Sequence, residues 1–159
     1  MTTITEIQTT QVYQLFIKAS PDAIWDAITK PEFTAKYFHG ALVDSTFEPG
    51  APYLSYSPDR SQLWVDGEVL ESERPRKLQH TWRSLYNDET ATEPHSRVTW
   101  EIEPQDGGFS KLTVIHDQLD ASPKTAVSVS GAGWMIVLSG LKTLLETGEP
   151  LATLGGAEA

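Results

Sequence analysis

The chain has 159 residues, with 12 basic and 22 acidic side chains, a formal net charge of −10 and no cysteine. This length is typical of one domain. The lack of cysteine excludes disulfides, thiolate metal sites and thiol nucleophiles. The acidic balance argues against a nucleic-acid partner, because phosphate backbones are bound by basic surfaces. No segment has the pattern of a signal peptide or of a membrane span, so we expect a cytoplasmic protein without membrane insertion.

The first part of the chain predicts one strand and two short helices. The segment from Val12 to Ala19 is rich in β-branched and aromatic residues, which favour a strand. Ser20 followed by proline is typical of the N-cap and first position of a helix. Thr29 and Glu32 have the spacing of a capping box, which predicts the start of a second helix that ends at Gly40. The residues expected on the buried sides of these helices are Ile24, Trp25, Ile28, Phe33, Tyr37 and Phe38.

The middle of the chain predicts an antiparallel sheet. Segments with strand composition follow one another and are separated by short turns rich in Gly, Pro and Asp. Strands joined by short turns pair antiparallel, and the helices of such proteins lie on one face of the sheet. The six predicted strands cover residues 42–47, 53–56, 63–71, 77–84, 97–103 and 109–117.

The last predicted element is a long apolar helix that begins near Gly133. Gly148 is placed for a left-handed C-terminal cap, and Pro150 prevents the helix from continuing. Its apolar residues recur with a period of 3.6 and form one broad stripe, which must pack against the sheet. The stripe consists of Trp134, Val137, Leu138, Leu141, Leu144 and Leu145.

These elements predict an α+β helix-grip fold, in which a curved antiparallel sheet of about six or seven strands wraps around the C-terminal helix. Two short helices follow the first strand. We expect a single domain over residues 11–150, a flexible N-terminus over residues 1–10 and a flexible tail over residues 151–159.

Strand alternation places two histidines and two tryptophans on the face that points at the helix. His80 and Trp82 are two positions apart, so their side chains point to the same side of their predicted strand. Trp100 and His116 lie on the apolar sides of the last two predicted strands. Several aromatic rings with a few polar atoms are typical of a site for a small hydrophobic, aromatic or lipid-like molecule. The candidate ligand-binding residues are His80, Trp82, Trp100, His116, Trp134, Leu138, Tyr56 and Phe38, with Tyr56 and Phe38 at the entrance.

The two inward histidines allow more than one role. In a sequential sheet His80 and His116 lie two strands apart, about 9–10 Å between backbones, and a zinc site needs three protein ligands at about 2.1 Å. The nearest further ligands, Asp66 and Glu68, have no assigned face, so we predict no metal and no other cofactor. A buried polar contact, a hydrogen bond to a ligand and an acid–base role stay open. We assign no catalytic residue.

Four stretches of the chain carry a resemblance to a known family. The first, within residues 17–32, contains Ile24-Trp25-Asp26-Ala27-Ile28, and the second is Gly67-Glu68-Val69-Leu70-Glu71 followed by Pro75 and Leu78. The third is Leu112-x-Val114-x-His116. The fourth is Gly133-Trp134 with Leu141-Lys142-x-Leu144-Leu145-Glu146-Thr147-Gly148. Over about residues 10 to 150 the chain resembles bacterial homologues of the activator of the heat-shock-protein-90 ATPase. That family is part of the SRPBCC superfamily, related to START domains and the birch-pollen allergen fold.

The resemblance implies a helix-grip fold with a cavity between sheet and helix. Superfamily members include lipid carriers, polyketide binders, cyclases and co-chaperone domains, so fold analogy does not select one activity. Our leading hypothesis is a binding protein for a small hydrophobic molecule. The alternatives are a cyclase- or hydrolase-like enzyme with His80 or His116 as acid–base, and a co-chaperone or stress-response interaction module. A homodimer and a protein partner stay open, and the residues favour a binding protein over an enzyme.

Overall fold

A seven-stranded antiparallel sheet and the helices packed on it form the protein, in a computed structural model that describes residues 9–130 and 132–151. The strands are β1 (Gln11–Ile17), β2 (Leu42–Asp44), β3 (Pro52–Tyr56), β4 (Leu63–Glu73), β5 (Lys77–Ser84), β6 (Ser96–Gln105) and β7 (Phe109–Asp117). The helices are α1 (Pro21–Thr29), α2 (Pro31–Tyr37), α3 (Asp88–Ala91), α4 (Pro123–Val129) and α5 (Ala132–Thr147). The sheet order is β1-β7-β6-β5-β4-β3-β2, so β1 closes one edge beside β7. The predicted α+β helix-grip fold is confirmed. Most of the two segments expected to be flexible lies outside the described residues.

The start of α1 follows the predicted capping chemistry, and the start of α2 does not. The Ser20 hydroxyl accepts a hydrogen bond from the Ala23 N–H at 3.2 Å. The predicted capping box at Thr29 is wrong, because Thr29 is still the last residue of α1 and its hydroxyl donates to the Trp25 carbonyl at 2.7 Å. Lys30 is the N-cap of α2 and makes no side-chain cap. A threonine can satisfy its hydroxyl on the carbonyl four residues back, which removes it from capping.

Three further differences from the predicted elements have local or long-range causes. Strand β2 ends early, where Phe47 adopts a left-handed φ of 58° and its N–H donates to the Ser45 hydroxyl. Helix α3 was not predicted and is capped by the side chain of Asn87. Helix α4 was also not predicted. Its first N–H groups, on Lys124 and Thr125, donate to the carboxylate of Glu93, about 30 residues earlier. Such a cap is invisible to a local sequence pattern.

Helix α5 buries the predicted stripe and ends as predicted. Trp134, Val137, Leu138, Leu141 and Leu144 are buried, and Leu145 is half-buried against the core. Gly148 has a φ of 82°, and its N–H donates to the Leu144 carbonyl at 2.8 Å, which is the expected left-handed cap.

No single helix within residues 9–130 and 132–151 has the length and apolar content to cross a membrane. Only α4 and α5 taken together, as a pair bent by 41°, meet the criteria of length and composition.

The three central strands place both histidines in the buried layer beneath α5, as their alternation predicts. His80 and His116 are fully buried, and both pair with Val98 of the strand between them, from its two sides. Trp82 and Trp100 are buried on the same face. Four groups that carry ring nitrogens therefore share one apolar layer, and each must find a hydrogen-bond partner there.

His116 connects the sheet to α5. Its Nδ1 accepts a hydrogen bond from the Trp134 indole N–H at 3.1 Å, which places the imidazole proton on Nε2. That Nε2–H lies 2.7 Å from the Ser96 hydroxyl, and Ser96 in turn donates to the Trp82 carbonyl at 3.2 Å. Burial, reinforced by the nearby His80, lowers the pKa of His116 to about 3.

His80 is held in the opposite tautomer. Its Nδ1–H donates to the Thr81 carbonyl at 2.9 Å, and its Nε2 accepts from the Trp100 indole N–H at 3.1 Å. The Tyr53 ring stacks on the imidazole at 3.7 Å between centroids. Burial lowers the pKa of His80 to about 4. All four imidazole nitrogens of the two residues are thus used inside the protein, in their neutral forms.

The two buried histidines should make stability fall as the pH drops below about 6.5. Their folded pKa values lie below the ordinary value, so the unfolded chain takes up protons first, and the stabilisation is lost as the pH falls toward about 4 and about 3. Each histidine lowers the free energy of unfolding by up to about 1.4 kcal/mol per pH unit in this window. Urea unfolding followed by tryptophan fluorescence at a series of pH values measures the slope.

Substitution separates these two residues from the other histidines. His116→Gln should remove about half of the slope of the free energy of unfolding against pH between about pH 6.5 and 4.5, because one of the two responsible groups is gone. His39→Gln, at an exposed position, should keep the whole slope. An unchanged slope in His116→Gln would contradict the assignment.

Candidate ligand-binding site

A cavity of about 370 Å³ lies between the β3–β5 end of the sheet and the segment that follows α2. Its walls come from three strands and two loops. The lining residues are mostly apolar or aromatic, and none is Asp, Glu, Lys or Arg. They are Phe38, His39, Ala41, Ser55, Trp64, Val65, Trp82 and Tyr86.

The end of α2 sets the inner wall of this cavity. Phe38 is the C-cap residue, and His39 and Gly40 follow with φ values of 56° and 82°, which turn the chain away from the helix axis. A side chain at Gly40 would also press on Pro58, since its Cβ would lie 3.0 Å from the ring. The turn holds the Phe38 ring stacked on Trp82 at 6.0 Å between centroids.

Two aromatic rings form the rim. Tyr86 is 56% exposed and meets Trp64 edge to face at 6.4 Å. The Leu85 N–H donates to the Trp64 carbonyl at 2.7 Å, which fixes the loop after β5 against β4. The cavity therefore opens to solvent between aromatic faces and has hydrogen-bonded backbone behind them.

A smaller hollow of about 70 Å³ continues the space toward the helices. It shares Phe38, His39, Trp82 and Tyr86 with the main cavity. The remaining lining residues belong to α4 and α5 and are Ser128, Val129, Gly133, Trp134 and Val137. The stacked pair Phe38 and Trp82 thus separates two parts of one cleft.

The residues proposed from the sequence occupy four different places. Phe38 and Trp82 line the main cavity, and Trp134 lines the smaller hollow. His80, Trp100, His116 and Leu138 lie in the buried core beneath them. Tyr56 is half-buried and lies near the Arg60 guanidinium, 5.8 Å from the ring centroid, instead of at the entrance. Ligand contact by these buried residues stays a prediction.

Six lining residues were not proposed from the sequence: His39, Ala41, Ser55, Trp64, Val65 and Tyr86. Three of them lie on β3 and β4, where apolar residues occupy both faces and the alternation is weak. His39 and Tyr86 lie in loops, which alternation does not describe. An aromatic residue directly after a strand, as Tyr86 follows β5, was the available signal.

Asp66, one of the two carboxylates considered as metal ligands, is engaged elsewhere. Asp66 accepts hydrogen bonds from Arg83 at 2.7 Å and from His95 at 3.1 Å. Burial alone would raise the pKa of Asp66, but the hydrogen bond and charge of Arg83, with His95, lower it. Within residues 9–130 and 132–151 there is no group of three or more His, Cys, Asp or Glu side chains that could hold a metal ion.

Comparison with solved structures shows the same fold at low sequence identity. CalU16 from Micromonospora echinospora is 22% identical, with 89% of this chain and 76% of that chain covered and a TM-score of 0.67. An HSP90 activator from Plasmodium falciparum is 18% identical (87% and 96% covered, TM-score 0.70). An Aha1 dimer from Colwellia psychrerythraea is 15% identical (89% and 98% covered, TM-score 0.69).

The family is shown by the sequence of most of the domain, from α1 onward. No curated protein matches the chain. The model of the family described as activator of Hsp90 ATPase homolog 1-like protein matches residues 18–146, which include every element from α1 to nearly the end of α5. The chain belongs to the family of activator of Hsp90 ATPase homolog 1-like proteins.

Proposed function

We propose that the protein binds a small, largely apolar molecule, aromatic or lipid-like, in the cavity between the sheet and the end of α2. The observation that carries this proposal is the cavity of about 370 Å³ with its aromatic walls. Its volume lies in the range of small-molecule sites, which are mostly apolar with few polar groups. Trp64, Trp82 and Tyr86 offer ring faces that a planar or aliphatic ligand can cover.

The hydrogen bonds of the histidines favour binding over catalysis. An acid–base role for His80 or His116 requires a free ring nitrogen and an ionisable partner. Their partners are the Thr81 carbonyl, the Ser96 hydroxyl and two indole N–H groups. Neither histidine is among the residues that line the cavity.

Partly filling the cavity should weaken the binding of an apolar probe. Val65→Phe adds a ring to a cavity wall, so we expect at least a tenfold loss of affinity for N-phenyl-1-naphthylamine, because the added ring takes the volume that the probe needs. The probe is uncharged, and the rise of its emission in an apolar site reports the dissociation constant.

The matched control is Val12→Phe, the same substitution at an exposed position of the edge strand β1. It should keep the affinity of the wild type. Wild-type protein that does not bind the probe, or equal affinity in both variants, would contradict the proposed site.

A second proposal concerns self-association through the α4–α5 surface, formed by Val127, Met135 and Ile136. These side chains are 64%, 52% and 49% exposed on two consecutive helices. Large exposed apolar side chains close together in a fold are typical of interaction surfaces. The similarly folded protein from Colwellia psychrerythraea was solved as a dimer. We therefore propose a second copy of this chain as the partner, with a chaperone partner as the competing outcome.

Charge on the α4–α5 surface should prevent self-association. Sedimentation equilibrium should show a dimer for the wild type and a monomer for Met135→Lys with Ile136→Lys, because each of the two copies would bring two ammonium groups into the interface. Val12→Lys, an equally exposed position on β1, should remain dimeric. A monomeric wild type would rule the proposal out.

A further inference from the structure

The buried polar side chains of this protein are almost all hydrogen-bonded. The Ser96 hydroxyl contacts His116 and the Trp82 carbonyl, and the Ser110 hydroxyl donates to the Ala19 carbonyl at 2.8 Å. Ser55, at 7% exposure, differs from them. Among the buried Ser, Thr, Gln and His residues that the structure describes, only Ser55 has a side chain without a hydrogen-bond partner in the protein. Such a group requires an explanation in a native protein.

Tyr53, the preceding inward position on β3, shows the same feature. It is 4% exposed, and its hydroxyl has no hydrogen-bond partner among residues 9–130 and 132–151. The other buried tyrosine, Tyr37, donates to the Ala27 carbonyl at 2.8 Å. Burial raises the pKa of Tyr53, so its phenol is neutral.

The two unpartnered residues meet at one place in the cleft. Ser55 lines the main cavity and also a hollow of about 10 Å³ beside it. Tyr53 lines the same small hollow, next to Phe38 and Trp82. This hollow is close to the size that one water molecule needs. A polar end is therefore built into the inner part of a cavity that is otherwise apolar.

We propose that Ser55 is the polar anchor of the ligand site and that the ligand carries a neutral oxygen, a hydroxyl or a carbonyl, at its inner end. Tyr53 is the second anchor and reaches that oxygen directly or through one water. This inference rests on the proposed function of the cavity. A ligand of this kind gives these two hydroxyl groups the hydrogen-bond partner that no other residue of the described chain supplies.

The surroundings favour a neutral oxygen over a carboxylate. Among residues 9–130 and 132–151, no Lys or Arg lines the cavity. The imidazole of His39 is the basic group in its lining, and His39 is exposed. The chain has a net charge of −10. An anion placed against Ser55 would lose its hydration without gaining a positive partner.

Three probes that share the naphthalene ring system test whether Ser55 and Tyr53 bind a neutral oxygen of the ligand. They are naphthalene, 2-naphthol and 2-naphthoate. Isothermal titration calorimetry near pH 7 gives the affinities for the wild-type protein and for Ser55→Ala, Tyr53→Phe and Ser110→Ala. The readout is the ratio of the 2-naphthol affinity to the naphthalene affinity. We expect Ser55→Ala to lower this ratio about 5- to 10-fold, the value of one hydrogen bond, and Tyr53→Phe to lower it about 2- to 5-fold. Ser110→Ala should leave it unchanged.

Thermal unfolding shows whether a lower ratio reflects a damaged fold. Ser55→Ala and Tyr53→Phe remove hydroxyls that make no hydrogen bond to another residue of the protein, so their Tm should equal or exceed that of the wild type. Ser110→Ala breaks the bond to the Ala19 carbonyl and should lower the Tm. This pattern is opposite to the one that a purely structural Ser55 would give.

The outcomes separate this inference from the proposed function. If the wild type binds both uncharged probes and the ratio is unchanged in Ser55→Ala and in Tyr53→Phe, the anchor is refuted and the apolar site stands. If 2-naphthoate binds more tightly than 2-naphthol, the neutral oxygen is refuted. If the wild type binds none of the three probes, both proposals are refuted.

Discussion

The hydrogen bond from the Trp134 indole to His116 is the contact on which the rest of the structure depends. It joins α5 to the centre of the sheet at 3.1 Å, and it fixes the tautomer through which His116 contacts Ser96. The Trp134 ring also lies 5.5–6.3 Å from the rings of Phe38, Trp82 and Trp100, so one side chain sets the distance between helix and sheet. An imidazole can accept this bond only while it is neutral, and burial keeps it neutral.

This use of the histidines determines the chemistry of the cavity above them. His80 accepts a hydrogen bond from the Trp100 indole N–H, and His116 accepts one from the Trp134 indole N–H. Neither indole N–H therefore needs a partner from the cavity side. The inner wall of the main cavity is mostly aromatic carbon, which comes from the rings of Phe38 and Trp82. Ser55 and Tyr53 line the small hollow beside Phe38 and Trp82. The site is thus apolar over most of its surface and polar at one end, an arrangement that orients a ligand.

The sequence predicted the sheet face and the helix stripe because both follow from periodicity. His80, Trp82, Trp100 and His116 alternate with polar residues, so their burial could be inferred without a structure. Periodicity does not say whether a buried nitrogen already has a partner, and this is why the histidines were candidates for ligand contact. It also does not show where packing leaves a space. The space depends on the turn after Phe38 and on the loop at Tyr86, both set by tertiary contacts. The cap of α4 by Glu93 was missed for the same reason.

The stretches that carry the family resemblance and the residues that line the main cavity are different parts of the chain. Residues 17–32, 67–78, 112–116 and 133–148 supply α1, the centre of β4, the His116 strand and α5, which form the frame around the Trp134 contact. All the lining residues of the main cavity, from Phe38 to Tyr86, lie outside these stretches. Structures with 15–22% identity share the fold at TM-scores near 0.7. A frame held by buried contacts can stay constant while the side chains facing the cavity vary. The chemistry of a ligand for the proposed site is therefore to be inferred from Ser55, Trp64, Trp82 and Tyr86 and not from the fold.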